Sequence, residues 1–229
     1  MFVKKEKKGG TPSRRVPAQE RSRKRLERIL EAAAEEFDEQ GYESATMERI
    51  AERAETSIGS VYQFFRNKEA VFLALARKIG GTLRAVFDVV VNEEALKAPW
   101  EAVIDAGIDA FAALNESDAA FRAVWRGAFL TRQVLEESDA LGRELAGRVE
   151  VWLRTAAPHL AKDKRALVST MIIEGVSGIL LAATWRGGDE GRALMQEAKV
   201  MMRRYLAPYM SPPAPGAGTR AKRGAILKK

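Results

Sequence analysis

An all-α fold of about nine helices is what this chain of 229 residues predicts. Three observations carry that expectation. Apolar residues recur with a period of about 3.6 nearly everywhere from Glu20 onward. No run of β-branched residues alternates with a period of two, and no repeat of about 20–50 residues appears. Gly, Pro and capping residues fall where helix ends belong.

The elements follow in order. Leu26, Ile29, Leu30, Ala33 and Phe37 make one stripe, closed by Gly41 where a left-handed residue ends a helix. Thr46 is a good N-cap for a short helix from Met47 that turns Ile50, Ala51 and Ala54 inward, and Glu55-Thr56-Ser57 breaks it. Ser57 caps a second short helix, Ile58 to Phe65, with Val61 and Phe64/Phe65 inward. Asn67-Lys68-Glu69 opens a long helix whose stripe is Phe72, Leu75, Ile79, Leu83, Val86/Phe87 and Val90. Trp100 to Leu114 and Phe121 to Leu135 follow, separated by the cap chemistry of Asn115-Glu116-Ser117-Asp118. Leu141 to Ala156 ends at Pro158. Asp163 caps a helix running to Arg186 and Gly187-Gly188, and Asp189 caps a last one carrying Leu194, Ala198, Met201/Met202 and Tyr205 until Pro208.

Composition removes whole classes of function. The chain has no Cys and one His, so disulfides, thiolate nucleophiles, Cys-ligated zinc and a multi-His metal site within one chain are excluded. No metal or cofactor is expected. A Walker phosphate loop, a G-x-S-x-G elbow, H-E-x-x-H and a dinucleotide fingerprint are all absent, so the chain is not read as an enzyme. His159 follows Pro158 as an ordinary loop residue. The longest apolar run, Met171 to Trp185, is interrupted by Glu174 and falls short of the roughly 18–20 residues of a membrane span. The basic start runs into Gly and Pro rather than an apolar stretch, unlike a secretory signal. A soluble cytoplasmic protein is the expectation.

Charge is unevenly placed. The net +7 divides into +8 on residues 1–30, +5 on residues 212–229 and −6 on the body between. An acidic body with basic ends is the pattern of a protein that touches a polyanion through arms or edges; solubilising ends are the alternative. Gly9-Gly10, Pro12 and Pro17, and later Ser211 to Gly218, argue against ordered structure. Residues 1–19 are read as a disordered basic arm and 211–229 as a disordered basic tail.

The two short helices over 46–65 form a helix-turn-helix, a unit that seats its second helix in the DNA major groove. Counted from Met47, the fifth residue is Ala51, small enough for a close crossing, and the fifteenth is Val61, a buried branched aliphatic. The ninth, in the turn, is Glu55, where a left-handed backbone costs a non-glycine residue roughly 1 kcal/mol.

Residues 25–79 resemble the TetR family of transcriptional regulators. The resemblance rests on Ile29-Leu30-Glu31-Ala32-Ala33, Phe37, Gly41-Tyr42 and Thr46-Met47-Glu48-Arg49-Ile50-Ala51, then on the unbroken stretch from Ser57 to Phe72. The departures are Glu55 for the usual Gly and Thr56 for the usual Val. The resemblance implies a helix-turn-helix DNA-binding domain, 20–81, and a helical dimerisation and effector domain, 82–210. It implies a homodimeric repressor that a small effector releases from a palindromic operator by tilting the Phe72–Val90 helix. Its partners are double-stranded operator DNA, a second copy of itself and an apolar or cationic small molecule, with no membrane. A non-specific basic nucleic-acid binder is the alternative.

Residue roles follow from the match and from chemistry together. Thr46, at a helix N-terminus, offers a hydroxyl and free N–H groups to a phosphate. The positions of Tyr62 and Lys68 commonly contact the backbone in this family, and a phenol and an ammonium suit that task. Base reading falls to Ser57, Ile58, Gly59, Ser60 and Gln63, with the Gln63 amide able to pair bidentately with adenine and Ile58 able to meet a thymine methyl. Tyr62 and Phe64 can also serve as core residues. In the second domain the aromatic and Met set Phe111, Phe121, Trp125, Phe129, Trp152 and Met171 can line an apolar cavity or equally fill a solid core; Phe111, Trp125, Phe129, Met171 and Glu174 are the effector candidates. Glu174 needs solvent, a dimer partner or a cationic effector, with Arg126 a candidate partner. Gly178, Leu181, Ala182, Met201 and Tyr205 are the dimer candidates, on the faces that also hold Gly175 and Leu194.

Residues 42–70 carry 4 Lys/Arg against 5 Glu, so the motif itself supplies no excess positive charge. The group Arg21, Arg23, Lys24, Arg25 and Arg28, with the arm before it, is the nearest source of phosphate neutralisation. Removing residues 1–19 is therefore expected to weaken DNA binding and flatten its dependence on salt. An unchanged slope of log affinity against log salt concentration would show the arm to be a bystander.

Overall fold

The computed structural model describes residues 18–127 and 131–211; most of the basic arm and tail lies outside the described residues, while Ala18 and Gln19, read as arm, begin α1. Among the described residues there are nine helices and no strand: α1 (Ala18–Ser44), α2 (Met47–Arg53), α3 (Ile58–Phe64), α4 (Lys68–Val90), α5 (Trp100–Ser117), α6 (Ala119–Arg126), α7 (Arg132–Ala156), α8 (Lys162–Arg186) and α9 (Gly188–Met210). The expected Gly41 turn is present, with φ at 76° where α1 kinks before its last residues.

The caps form as their chemistry requires. Thr46, Ser57 and Asn67 each accept a hydrogen bond from the backbone N–H three residues on, at 3.2, 3.2 and 2.8 Å. Such bonds let α2 and α3 stand as seven-residue helices, since helices this short gain little from their own ladders. Ile29, Ala33 and Phe37 of α1 close over Ile50 and Ala51 of α2, Val61 of α3 and Phe72 of α4, all buried. Phe37, Tyr42 and Phe72 form an aromatic triangle with centroids 5.1–5.8 Å apart.

Five boundaries differ from the sequence reading. The break expected between 135 and 141 falls instead between Arg126 and Arg132, so Glu136 to Ala140 lie inside α7. Thr131 supplies the cap of α7, accepting from the Val134 N–H. Asn115 to Ser117 extend α5, and Asp118 alone caps α6. Asp163 and Asp189 sit in the first turns of α8 and α9 rather than at their caps, where their charge still favours the helix N-terminus. α9 also continues through Pro208 to Met210.

α8 packs between α7 and α9 as the central helix of the second half. It is long and apolar enough to cross a membrane, with mean hydropathy 1.9 over its best window, which corrects the estimate made from the Met171–Trp185 run. A single Glu174 does not offset seventeen uncharged neighbours in that window. Its inward face (Val168, Ile172, Ile173, Val176, Leu180 and Ala183) is core. Gly175 belongs to the α8–α9 contact rather than an outward face: a Cβ there would stand 2.8 Å from Met202 Cε.

Among the described residues Glu55 is the one non-glycine with positive φ, at 50°. The turn nevertheless closes, with the Thr56 N–H donating to the Ala51 carbonyl at 3.0 Å. Glu55→Gly is expected to raise unfolding free energy by about 1 kcal/mol, read as a higher denaturant midpoint at constant slope. A lower midpoint would mean that the glutamate side chain contributes more than its backbone costs.

Candidate nucleic-acid interface

The rotation of α3 decides what the helix can present. Val61 is fully buried, and at about 100° per residue its burial turns the opposite side outward. Ser57, Ile58, Gly59, Tyr62 and Gln63 are exposed and Ser60 is half-buried. Tyr62 is 50% exposed, so the core alternative for it fails, while Phe64 is half-buried and packs on the core. The Ser57 and Ser60 hydroxyls lie 2.9 Å apart and hydrogen-bond each other, leaving each with capacity for an outside partner. At Gly59 an added Cβ would meet nothing within 4 Å, so no contact inside the protein requires glycine there.

Thr46 is exposed at the N-terminus of α2, its hydroxyl already accepting from the Arg49 N–H. Arg25 is half-buried on α1 and, among the described residues, has no ion-pair partner, whereas Arg23 and Lys24 pair with Glu27 and Glu20. Lys68 is more constrained than its sequence role implied. Its ammonium donates to the Tyr42 and Glu43 carbonyls at 2.6 and 3.0 Å and lies 4.6 Å from the Tyr42 ring centroid. Two of its three protons thus brace the start of α4 against the end of α1, and one is left for a phosphate.

Sequence reasoning missed the ionic frame behind this surface. On α1, Glu35, Glu36 and Glu39 surround Arg53 of α2 at 3.2, 3.4 and 2.6 Å. The hydrogen bonds Arg53 donates to Glu39 and then to Glu35 raise its pKa, and the Arg53 guanidinium in turn lowers that of Glu39. On the other side of α1, Asp38 accepts from Arg122 Nε and Nη2 at 2.9 and 2.6 Å and from Arg126 Nη1 at 2.8 Å. Arg126 is therefore committed to α1, which corrects its assignment as the partner of Glu174. Arg122 and Arg126, four residues apart, share one face of α6, but that spacing does not point to Asp38 as their acceptor.

The second half encloses a cavity of about 440 Å³ between α4, α5, α6, α7 and α8. Phe111, Trp125 and Glu174 line it, and Glu174, whose charge needed solvent or a partner, is exposed to solvent. Trp125 stacks on Phe121 at 4.9 Å, and its indole donates to the Ser177 carbonyl at 3.4 Å. Met171 does not line it: the residue is 46% exposed on the far side of α8 from Ile172 and Ile173. Phe129 lies outside the described residues. Trp152, from the same aromatic set, lines it too, whereas Phe121 does not; Phe87 and Leu83, which read as plain core on a helical stripe, are lining that sequence reading passed over. Among the dimer candidates, Gly178 and Met201 are exposed, and Leu181, Ala182 and Tyr205 are half-buried.

Comparison with known proteins gives these features a lineage. The family model described as "Bacterial regulatory proteins, tetR family" matches residues 29–75, and that described as "Tetracyclin repressor-like, C-terminal domain" matches residues 99–206. The transcriptional repressor AcnR of Corynebacterium diphtheriae is 46% identical over 54 residues, 24% of this chain and 28% of that protein. The matches to the first curated relatives thus span about a quarter of their length. The A-factor receptor protein of Streptomyces griseus is 28% identical over 192 residues, 81% of this chain and 63% of that one. In structure, the complex of SmeT with triclosan superposes with a TM-score of 0.66 at 22% identity, covering 90% of this chain and all of that one. With its helix-turn-helix and its C-terminal helical domain both matched in order, the chain belongs to the TetR family of bacterial transcriptional regulators.

Proposed function

We propose that the chain is a homodimeric repressor that reads a palindromic operator and is released by a small molecule bound in its C-terminal half. The observation that carries the DNA-reading step is the outward strip on α3 from Ser57 to Gln63, held in one rotation by Val61. In that reading Gln63, Ile58 and Gly59 meet base edges, while Thr46, Tyr62, Arg25 and the free proton of Lys68 meet phosphates. The basic ends, and a division near residue 81, belong to the same proposal.

Dimerisation is supported by the outer face of α8. Leu167, Met171 and Trp185 are exposed there, Trp185 by 65%, and Gly178 lies between them on the same stripe. Met201 of α9 is exposed beside it. A helix with an apolar face turned outward as well as inward gains stability by packing on a second copy. Two-fold pairing would set two α3 helices at successive major grooves, about 34–36 Å apart. Effector release is supported by the cavity, whose walls include both α4 and α6. The A-factor receptor takes its name from a ligand, and SmeT was solved with triclosan.

The reading is tested by footprinting the full chain on DNA upstream of its own gene with excess competitor DNA. One protected palindrome is expected, and uniform coating would favour the non-specific alternative. Gln63→Ala is expected to relax base preference at one position per half-site by about 1–3 kcal/mol while leaving the salt slope unchanged. Loss of affinity for all sequences alike would remove Gln63 from base reading. Gly59→Ala is expected to leave thermal stability unchanged or slightly raised, yet to cost about 1–3 kcal/mol in operator affinity. Undiminished operator binding would show that nothing approaches α3 closely at that point.

A further inference from the structure

The cavity comes to the surface beside the outward face of α8. Leu167, Met171, Glu174, Gly178, Leu181 and Trp185 follow one another along that face at alternating steps of four and three residues, the spacing of a seam between packed helices. All are exposed except Leu181, which is half-buried. Glu174, Gly178 and Leu181, within the seam, also line the cavity. Leu135 and Asp139 of α7 are exposed and line it too, and a Cβ on Gly142 of α7 would stand 3.6 Å from Glu174 Oε1. On its other side α7 is tied to α4 by the pairs of Arg77 with Glu137 and Arg84 with Glu144, at 2.7 and 2.8 Å. The mouth therefore lies between α7 and α8, along one edge of the seam.

A single chain leaves this face uncovered. At Gly178 an added Cβ would meet nothing within 4 Å, and the large apolar side chains of Leu167, Met171 and Trp185 are open to water. The charges around the seam indicate what covers it. Glu174 on α8 and Glu197 and Arg204 on α9 are exposed, and none has an ion-pair partner among the described residues. Two-fold pairing brings acids of each copy toward the base of the other, whereas a partner of uniform charge answers only one sign. The occupant that fits is a second copy of this chain.

We propose that a second copy seated on this seam closes the mouth of the cavity, so that the ligand site is complete only in the dimer. This rests on the dimer reading above and deepens it, giving the interface a part in ligand binding. Gly178 leaves room at the lip for a side chain of the facing copy. A molecule inside the cavity then touches both subunits, and by linkage its binding and dimerisation strengthen each other.

The chain has no Cys, so one introduced thiol reports on one place. In the full chain Ser177→Cys sets a thiol inside the mouth, on a half-buried lining residue next to the seam. Val151→Cys sets a control on an exposed residue of α7 that does not line the cavity. Each is made with the native seam and with Met171→Arg and Trp185→Arg, which charge two exposed seam positions. Sedimentation gives the oligomeric state, circular dichroism the helix content, and a fluorescein maleimide the rate at each thiol. The native seam is expected to give a dimer and the charged seam a monomer of unchanged helix content. The thiol at position 177 is expected to react about tenfold more slowly in the dimer, and that at 151 equally in both. Diluting the native-seam chain through its dissociation repeats the comparison without the arginines and is expected to speed labelling at 177 alone. Equal rates at 177 in dimer and monomer overturn the closure while leaving the dimer reading intact. A charged seam that still dimerises puts the interface elsewhere and also overturns the proposal. A native-seam chain that is monomeric at every concentration removes the dimer reading itself.

Discussion

The C-terminal half of α1 is the constraint on which the rest of the molecule is assembled. Within nine residues it supplies acceptors to three different helices. Glu35, Glu36 and Glu39 hold Arg53 of α2; Asp38 holds Arg122 and Arg126 of α6; and the Tyr42 and Glu43 carbonyls hold Lys68 of α4. Between these polar contacts Ala33 and Phe37 seal the core. Glu36 is almost wholly buried and Asp38 largely so. For such groups, losing the partner costs about 3–5 kcal/mol, because a charge is then left in a poorly solvated place. The pairs therefore specify orientation: an alternative packing of α1 would strand several charges at once.

That arrangement explains how so short a reading helix holds its position. α3 has seven residues and one fully buried side chain, too little to be stable alone. It is fixed through α2, which Arg53 anchors to α1, and through α4, which Lys68 anchors to the same helix. The strain at Glu55 sits in the turn between α2 and α3, where the flanking anchors over-determine the backbone.

Much of this was legible in the sequence, and the remainder was not for physical reasons. Caps at Thr46, Ser57 and Asn67, the inward Ala51 and Val61 and the outward strip follow from local chemistry and helical period, which short windows reveal. The misplaced helix break shows the limit of that method: Glu136 to Ala140 have the composition of a turn but lie inside α7, where Glu137, Ser138 and Asp139 reach the cavity. Met171 and Trp152 show another. Both are apolar residues on amphipathic stripes, and only packing decides that one faces outward and the other lines a cavity. Arg126 was drawn to the wrong acid because pairing across 88 residues leaves no local trace.

The same geometry narrows how ligand and DNA can be coupled under the proposed mechanism. Tilting of α4 alone was the expectation, yet α6 also lines the cavity, through Val124 and Trp125, and reaches α1 through Arg122 and Arg126. A ligand that displaces Trp125 moves the helix whose arginines grip Asp38, and one that displaces Phe87 moves the helix whose first residue grips the end of α1. Both routes converge on one segment, Asp38 to Glu43, a few residues ahead of Thr46. The α4 route also reaches α3 directly, since only Phe65 to Asn67 separate the two helices. By linkage, whatever the ligand takes from DNA affinity, DNA takes equally from ligand affinity.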